Sequence, residues 1–327
     1  MRTLVVVLGQ PRAHEFTFGL FKQNVLDVLK ADLCFCGDGT DKESPYVTEA
    51  KYTFTISQPE TSFDILEEAY QEIVKDHGKT PEHHWKKYIE IPKQIFTGGT
   101  KKTDSSKQSF LLYYRWFLLK NLRENGLLEK YDRFVITRSD YMWIFKHPSM
   151  EVLDPKHLWF PDGEGYGGLT DRHAVLSRHN VEEYLNIFNM MVIRSSPYFP
   201  EIANIHSEYG TNIEMIIVYH LSKSDLIKNV KLMPYNMFTV RAKDGATSWS
   251  TGEYNETLGY CIKYPSEFLT TVKFCYKLKK FNKTLNEDYY KFDPNDVGTQ
   301  ALGNIIIGGQ PADDTTEYYN MLLRNSA

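Results

Sequence analysis

The sequence predicts an α/β fold with a mostly parallel central sheet flanked by helices, and two observations carry this prediction. A β-branched apolar run at 4–8 is followed by helical spacing of apolar residues over 15–30 and by a second apolar run at 31–39. Strand, helix and strand in close succession form the βαβ pattern of a parallel sheet. Helices and short apolar runs then continue to alternate up to about residue 242.

The elements after this first unit follow from apolar periodicity and from the residues that interrupt it. Glycines stop two predicted helices, at Gly78 and Gly126, because glycine readily adopts the left-handed conformation that ends a helix. The predicted helices cover 61–77, 106–126, 180–191 and 211–223, and the predicted strands cover 133–141, 157–162 and 231–242. The polar segment 78–106 is predicted to be a loop that closes over a bound substrate.

The composition of the sequence changes after residue 242, where turn-forming residues dominate and no long periodic segment occurs. We therefore expect a catalytic core at 1–242 and a C-terminal appendage at 243–327 that packs on it. The appendage is expected either to shape an acceptor site or to mediate formation of a homodimer.

Composition narrows the classes of function. The net charge of −4 argues against a general nucleic-acid binder, which carries a basic surplus. The apolar run before Gly9 is too short for a secretion signal, and no stretch reaches the length of a membrane span. We expect a cytoplasmic protein without a membrane span, in which the four cysteines are reduced thiols that bind no zinc.

The first candidate motif is Gly9-Gln10-Pro11-Arg12, which follows the first strand. Ligands of open α/β sheets bind beyond the carboxyl ends of the strands, so an amide and a guanidinium at this position are placed to bind nucleotide phosphates. The alternative is a tight turn with a solvated arginine.

The second candidate motif is Arg138-Ser139-Asp140, at the end of the strand predicted at 133–141. Asp140 is a candidate ligand for Mn²⁺ or Mg²⁺ bridging a diphosphate, because these cations prefer oxygen ligands. Arg138 is placed to neutralise the same phosphates. The alternative is an ion pair between Arg138 and Asp140 that caps the next turn.

The third candidate is the glycine-rich segment 163–168, which runs into Thr170-Asp171-Arg172. We interpret it as a loop that lets the backbone approach a bound sugar and presents Asp171 as general base for an acceptor hydroxyl. One alternative makes Thr170 or Asp171 the N-cap of a helix that begins at Arg172. Another is a dinucleotide fingerprint, since the segment also satisfies G-x-G-x-x-G.

Two further acidic residues, Glu208 and Glu214, precede or open the helix predicted at 211–223. Either is a candidate for binding acceptor hydroxyls or for acting as base in place of Asp171. The alternative is that they only complement the positive end of the helix dipole.

Taken in order, these motifs resemble nucleotide-sugar glycosyltransferases of the GT-A fold, in particular those encoded by large algal (chlorella-type) viruses and some bacteria. The resemblance covers about residues 1–240 and implies a GT-A-like, Rossmann-like core. It also implies a nucleotide-diphosphate donor, usually UDP-linked, and a divalent cation, Mn²⁺ or Mg²⁺. The chain keeps only the last acid of the usual Asp-x-Asp motif, as Asp140.

The sequence thus predicts transfer of a sugar from a nucleotide-sugar donor to a hydroxyl of an oligosaccharide or glycoprotein glycan, with inversion. Asp171 is the predicted base and Asp140 the predicted metal ligand. The predicted donor-binding residues are Gly9, Gln10, Arg12, Arg138, Ser139 and Asp140, and the predicted sugar or acceptor contacts are Gly167, Gly168, Arg172, Glu208 and Glu214. The alternatives from other classes are a non-catalytic carbohydrate- or nucleotide-binding protein and an NAD-dependent oxidoreductase.

Overall fold

The structure is a computed structural model of the 327-residue chain. It describes residues 1–56, 62–78, 80–81, 84, 107–163, 165–194, 201, 212–233, 235–245, 252–256 and 258–271. Most of the predicted loop at 78–106, and everything after residue 271, therefore lies outside the described residues.

Eleven strands are present in the described part of the chain. In chain order they are β1 (Thr3–Gly9), β2 (Asp32–Asp38), β3 (Tyr52–Ile56), β4 (Arg133–Thr137), β5 (Tyr141–Met142), β6 (Leu158–Pro161), β7 (Ala174–Ser177), β8 (Val230–Met233), β9 (Phe238–Arg241), β10 (Glu253–Asn255) and β11 (Tyr260–Ile262). Seven of them form a central sheet in the order β3-β2-β1-β4-β7-β6-β8. Only β7 runs antiparallel to its neighbours, so the predicted mostly parallel sheet is confirmed.

The central strand β1 is apolar on both faces because both faces of the sheet are covered. Leu4 and Val6 belong to one hydrophobic cluster, whereas Val5 and Val7 belong to a second cluster on the opposite face. In register, Val5 lies opposite Leu33 of β2 and Val135 of β4. Strands buried on both sides have near-continuous apolar sequences, which explains the unbroken run at 4–8.

Helices cover the sheet close to where the sequence predicts them. They are α1 (His14–Phe21), α2 (Asp27–Leu29), α3 (Pro45–Thr48), α4 (Ser62–His77), α5 (Lys107–Glu124), α6 (Leu127–Lys130), α7 (Val181–Leu185), α8 (Ile187–Ile193) and α9 (Ile213–Lys223). A π-helical turn, Lys22–Leu26, joins α1 to α2. Gly78 and Gly126 follow the two longest helices with φ of +62° and +61°, as their predicted role as helix stops requires.

The strand predicted at 133–141 is two strands. β4 ends at Thr137, and after a turn at 138–140 the chain enters β5, which pairs with β9 in a second sheet of order β10-β11-β9-β5. The same sheet ties residues beyond 242 to the core, because β11 pairs with β9. The hydroxyl of Thr271, in the helical segment described over 265–271, also donates to the carbonyl of Met237 at 2.6 Å. The domain division at 242 stays a prediction.

Two expectations drawn from composition concern membranes and cysteines. Among the described residues, no helix is both long enough and apolar enough to cross a bilayer. Cys34, Cys36 and Cys261 are buried free thiols, whereas Cys275 lies outside the described residues. The cytoplasmic location stays a prediction.

Candidate functional site

The loops that follow β1 and β4 meet at the carboxyl edge of the central sheet. The backbone N–H of Arg12 donates to Oγ of Ser139 at 2.9 Å, and this hydroxyl donates to the carbonyl of Gln10 at 2.7 Å. Because ligands of such sheets bind beyond the carboxyl ends of strands, this is the expected place for a site. The structure thus brings the first two predicted motifs together, although they lie far apart in the sequence.

Asp140 lies between two arginines at this edge. Its side chain is 1% exposed, and Arg138 donates to both of its oxygens, from Nε to Oδ1 at 2.9 Å and from Nη2 to Oδ2 at 2.5 Å. Nη1 of Arg241, on β9, also donates to Oδ2. Burial alone would raise the pKa of Asp140, but the charges of Arg138 and Arg241 hold it well below its usual value.

Asp140 therefore does not fit the predicted role of metal ligand. Both of its oxygens already accept hydrogen bonds from guanidinium groups, and a cation would have to approach through those groups. Within the described ranges, no group of three or more histidine, cysteine or acidic side chains is arranged to hold a metal ion. The alternative interpretation of this motif, an ion pair between Arg138 and Asp140, is confirmed.

Four basic side chains surround this one carboxylate, and we call them the cationic cluster: Arg12, Arg138, Arg241 and Lys263. Burial lowers the pKa of Arg12, and the charges of Arg138 and Arg241 lower it further, against the opposing effect of Asp140. Burial and the same two arginines lower the pKa of Lys263 to about 7. The neighbouring positive charges outweigh Asp140 at Lys263, so the cluster carries a surplus of positive charge.

Arg241 is only 2% exposed, yet its Nε and Nη2 atoms have no hydrogen-bond partner within the described part of the protein. Buried donors without partners cost free energy, and more so when they carry charge. Arg138 and Arg12 are only partly buried, and 24% of the Arg138 side chain is exposed. The cluster therefore has both donors and charge available for an anion.

The glycine-rich segment packs tightly on the first turn of α9. A Cβ placed on Gly168 would lie 2.2 Å from the carbonyl oxygen of Glu214, and the next residue, Leu169, donates its N–H to that oxygen at 3.2 Å. Gly168 is thus required because the backbone of the glycine-rich segment lies against the backbone of α9, which leaves no room for a Cβ. The predicted contacts of Gly167 and Gly168 with a sugar stay predictions.

The chain that follows this segment is extended. β7 begins at Ala174, so both alternatives that required a helix after residue 171, the N-cap and the dinucleotide fingerprint, are wrong. The next helix is α7, which begins at Val181.

Asp171 and Glu214 form what we call the carboxylate pair, beside the glycine-rich segment. The side chain of Asp171 is 6% exposed and Glu214 is 8% exposed. Burial and the charge of Asp171 raise the pKa of Glu214 to about 8, against the opposing charges of Arg172 and Arg115. Glu214 therefore keeps its proton at neutral pH. Neighbouring carboxyl groups whose environments separate their pKa values are typical of acid–base sites.

Arg172 and Arg138 connect the carboxylate pair to the cationic cluster. Nε of Arg172 lies 4.0 Å from Oδ1 of Asp171, and its Nη1 donates to Glu267, which also accepts the N–H of Thr239 at 2.8 Å. Burial lowers the pKa of Arg138, but the charges of Asp140 and, more weakly, Asp171 hold it above its ordinary value. Arg138 thus interacts electrostatically with carboxylates on both sides.

The sequence did not indicate four of the side chains that build this region. Arg115 lies on α5, where its Nη2 donates to the carbonyl of Asp171 at 2.8 Å, and Arg241 lies on β9. Lys263 and Glu267 belong to the segment after residue 242. None stands in a recognisable motif, and only the tertiary fold brings them here. Glu208, by contrast, lies outside the described residues.

A depression of about 420 Å³ lies elsewhere, at the amino end of β2. Two ion pairs lie on its walls, Lys22 with Glu49 at 2.5 Å and Lys51 with Asp32 at 2.6 Å. It contains none of the predicted site residues, so the candidate site is the carboxyl edge.

Comparisons with known proteins identify no family for this chain and find a weak structural similarity. No family model matches the chain, and no curated protein sequence matches it. Among solved structures, the chain is similar to mouse xyloside xylosyltransferase 1 in its apo form. The match covers 71% of this chain and 84% of that one, with 8% identity and a TM-score of 0.34.

Proposed function

We propose that the protein is a glycosyltransferase. It transfers a sugar from a nucleoside diphosphate sugar, a UDP-sugar, to a hydroxyl group of a glycan. The observation that carries the proposal is the juxtaposition of a cationic cluster with a carboxylate pair at the carboxyl edge of the sheet. The order of the motifs Gly9–Arg12 and Arg138–Asp140, which resembles GT-A glycosyltransferases, supports the same conclusion.

The cationic cluster is the donor side of the proposed site. When the bond between the anomeric carbon and the diphosphate breaks, its electron pair stays on the phosphate oxygen, and negative charge develops there. Positive groups fixed in advance near that oxygen stabilise the transition state more than the ground state. Arg138 and Arg241 are held in place by Asp140, so little reorganisation is needed when the charge appears.

The carboxylate pair is the acceptor side. Asp171 takes the proton of the acceptor hydroxyl while the acceptor oxygen bonds to the anomeric carbon. This single displacement releases the nucleoside diphosphate and inverts the configuration of the sugar. Glu214, which keeps its proton at neutral pH, donates a hydrogen bond that orients Asp171 or the acceptor.

The first test is binding of nucleotides to the full chain. A thermal-shift series with UDP, GDP, ATP and NAD, with and without Mn²⁺, is expected to show stabilisation by UDP. Stabilisation by NAD alone would favour an oxidoreductase instead, and stabilisation by no nucleotide would overturn the proposal.

The second test is turnover. Release of UDP from a panel of UDP-sugars is expected, and Asp171→Asn is expected to lower the rate by about 10²–10⁴-fold while leaving UDP affinity unchanged. The matched control is Asp225→Asn. Asp225 is an exposed residue that pairs with the nearby Lys228, and it is distant from Asp171 in the sequence. Binding of UDP-sugars without UDP release would favour a non-catalytic binding protein. Full activity of Asp171→Asn would refute the assignment of the base.

A further inference from the structure

We propose that the cationic cluster itself neutralises the leaving diphosphate, in the place that a divalent cation on Asp140 would occupy, so that donor binding and transfer need no metal ion. This inference rests on the proposed function and departs from what the resemblance implies about Mn²⁺ or Mg²⁺. It is carried by the state of Asp140, by the number of charges around it and by the free donors of Arg241.

Asp140 is already fully committed to its arginines. A cation bound to its carboxylate would lie directly beside the guanidinium groups of Arg138 and Arg241 and would compete with them for its two oxygens. Separating the partners of a buried ion pair is strongly unfavourable, because a charge is left buried without compensation. The cation would also enter a region where positive charge is in surplus. Geometry and electrostatics therefore both oppose a metal at this carboxylate.

The charge of the cluster matches the charge of a donor diphosphate. The three guanidinium groups of Arg12, Arg138 and Arg241 against the one carboxylate of Asp140 leave a surplus of two positive charges. This equals the charge that a divalent cation would bring. Arginine also matches phosphate geometry, since its planar group donates two parallel hydrogen bonds. The unpartnered Nε and Nη2 of Arg241 are donors of this kind.

Lys263 adds a charge that depends on the ligand. It is 5% exposed, and within the described residues no carboxylate forms an ion pair with it. Its Nζ lies 4.9 Å from the centre of the Tyr264 ring. Arg241, Arg138 and Arg172 act on it with positive charge, and only Asp140 opposes them. A bound diphosphate opposes the burial and the positive charges that lower the pKa of Lys263, so its ammonium group is stabilised when the donor binds.

The test compares metal-free and metal-loaded conditions on the full-length protein. UDP affinity by calorimetry and UDP release from UDP-sugars are measured in EDTA and in Mn²⁺ or Mg²⁺. We expect both quantities in EDTA to lie within about threefold of their values with metal. Turnover that appears only with metal would overturn this inference and leave the proposed function standing. Absence of UDP binding in both conditions would overturn the proposed function as well.

Substitution of Lys263 separates the cluster from a general effect of charge. Lys263→Met is expected to weaken UDP binding about 10–100-fold, as for loss of a hydrogen bond to a charged group, and added Mn²⁺ is not expected to restore it. Lys228→Met is the control, at an exposed lysine. Folding of both variants is checked by thermal unfolding without ligand. Unchanged UDP affinity in a folded Lys263→Met, or its rescue by Mn²⁺, would overturn the inference.

Discussion

Both sides of the candidate site bury a carboxyl group, but its pKa is lowered on one side and raised on the other. On the donor side, Asp140 is 1% exposed, and two arginines hold its pKa well below the usual value. On the acceptor side, Glu214 is 8% exposed, and its pKa rises to about 8. Burial raises both pKa values, so the difference comes from the neighbours. Arg138 and Arg241 bond directly to Asp140, whereas Glu214 faces the charge of Asp171.

This difference in pKa suits Asp140 and Glu214 to different roles. A carboxylate that stays ionised at every physiological pH is suited to hold arginines in fixed positions for a ligand. A carboxyl group that keeps its proton at neutral pH, as Glu214 does, is suited to donate a hydrogen bond to a neighbouring base. The ion pairs of Asp140 therefore stabilise the fold, whereas the burial of Glu214 beside Asp171 costs stability above the ordinary pKa of a glutamate.

The largest expected effect follows from removing the charge of Asp140. In Asp140→Asn, Arg138 and Arg241 keep their positive charges in a buried position and lose the group that compensates them. We expect the free energy of unfolding to fall by about 3–5 kcal/mol, measured by denaturant titration.

The control for this variant is Asp225→Asn, at a surface ion pair, which is expected to change stability by less than about 0.5 kcal/mol. Added phosphate or UDP is expected to restore part of the stability of Asp140→Asn, because an anion at the cluster replaces the lost charge. Stability equal to that of the wild type would show that the arginines do not depend on Asp140.

Most residues of the cationic side could be predicted from the sequence, because they follow directly after two apolar strands. An apolar run that ends in Gly-Gln-Pro-Arg, and another that ends in Arg-Ser-Asp, place their polar residues at one sheet edge in any parallel arrangement of the two strands. The ion pair between Arg138 and Asp140 spans two positions and was foreseen as an alternative. The sequence could not show that Arg241 completes it, since β9 meets β5 only in the folded chain.

The acceptor side was predicted less well because its geometry depends on tertiary packing. Asp171 was predicted as the base, and one alternative interpretation took the segment after it as the start of a helix, because it contains cap-forming residues. In the structure it enters β7, where pairing with β4 overrides the local preference. Lys263 and Glu267 come from a turn-rich region without periodicity, so no pattern linked them to the site.

A substitution at Gly168 is expected to disturb the acceptor side alone. The Cβ of Gly168→Ala would lie 2.2 Å from the carbonyl oxygen of Glu214, so α9 and the glycine-rich segment must move apart. We expect a loss of about 1–3 kcal/mol in unfolding free energy and a large loss of transfer activity, with UDP affinity retained.

Gly19→Ala is the matched control for this substitution. It lies within α1, and a Cβ there meets nothing within 4 Å. Alanine is the better helix former, so a gain of about 0.5–1 kcal/mol is expected. Loss of UDP binding in Gly168→Ala would show that the two sides are not separable.

The smallest expected effect is a gain of stability on the acceptor side. The folded protein holds the proton of Glu214 up to about pH 8, whereas an unfolded chain releases it near the ordinary value of 4.5. The contribution of this group is therefore fully present below about pH 4.5 and is lost as pH rises through about 8. Glu214→Gln keeps a neutral group at every pH and removes that loss.

We therefore expect the thermal midpoint of Glu214→Gln to exceed that of the wild type by at least about 2–4 °C at pH 8.5, the shift that about 1 kcal/mol produces, and to match it near pH 4. Activity is expected to fall in the same variant, because the protonatable partner of Asp171 is gone. A midpoint difference that does not depend on pH would mean that Glu214 is ionised in the folded state. The contrast with Asp140 would then disappear, since both carboxylates would be charged, and the carboxylate pair would bind cations or donors instead of moving a proton.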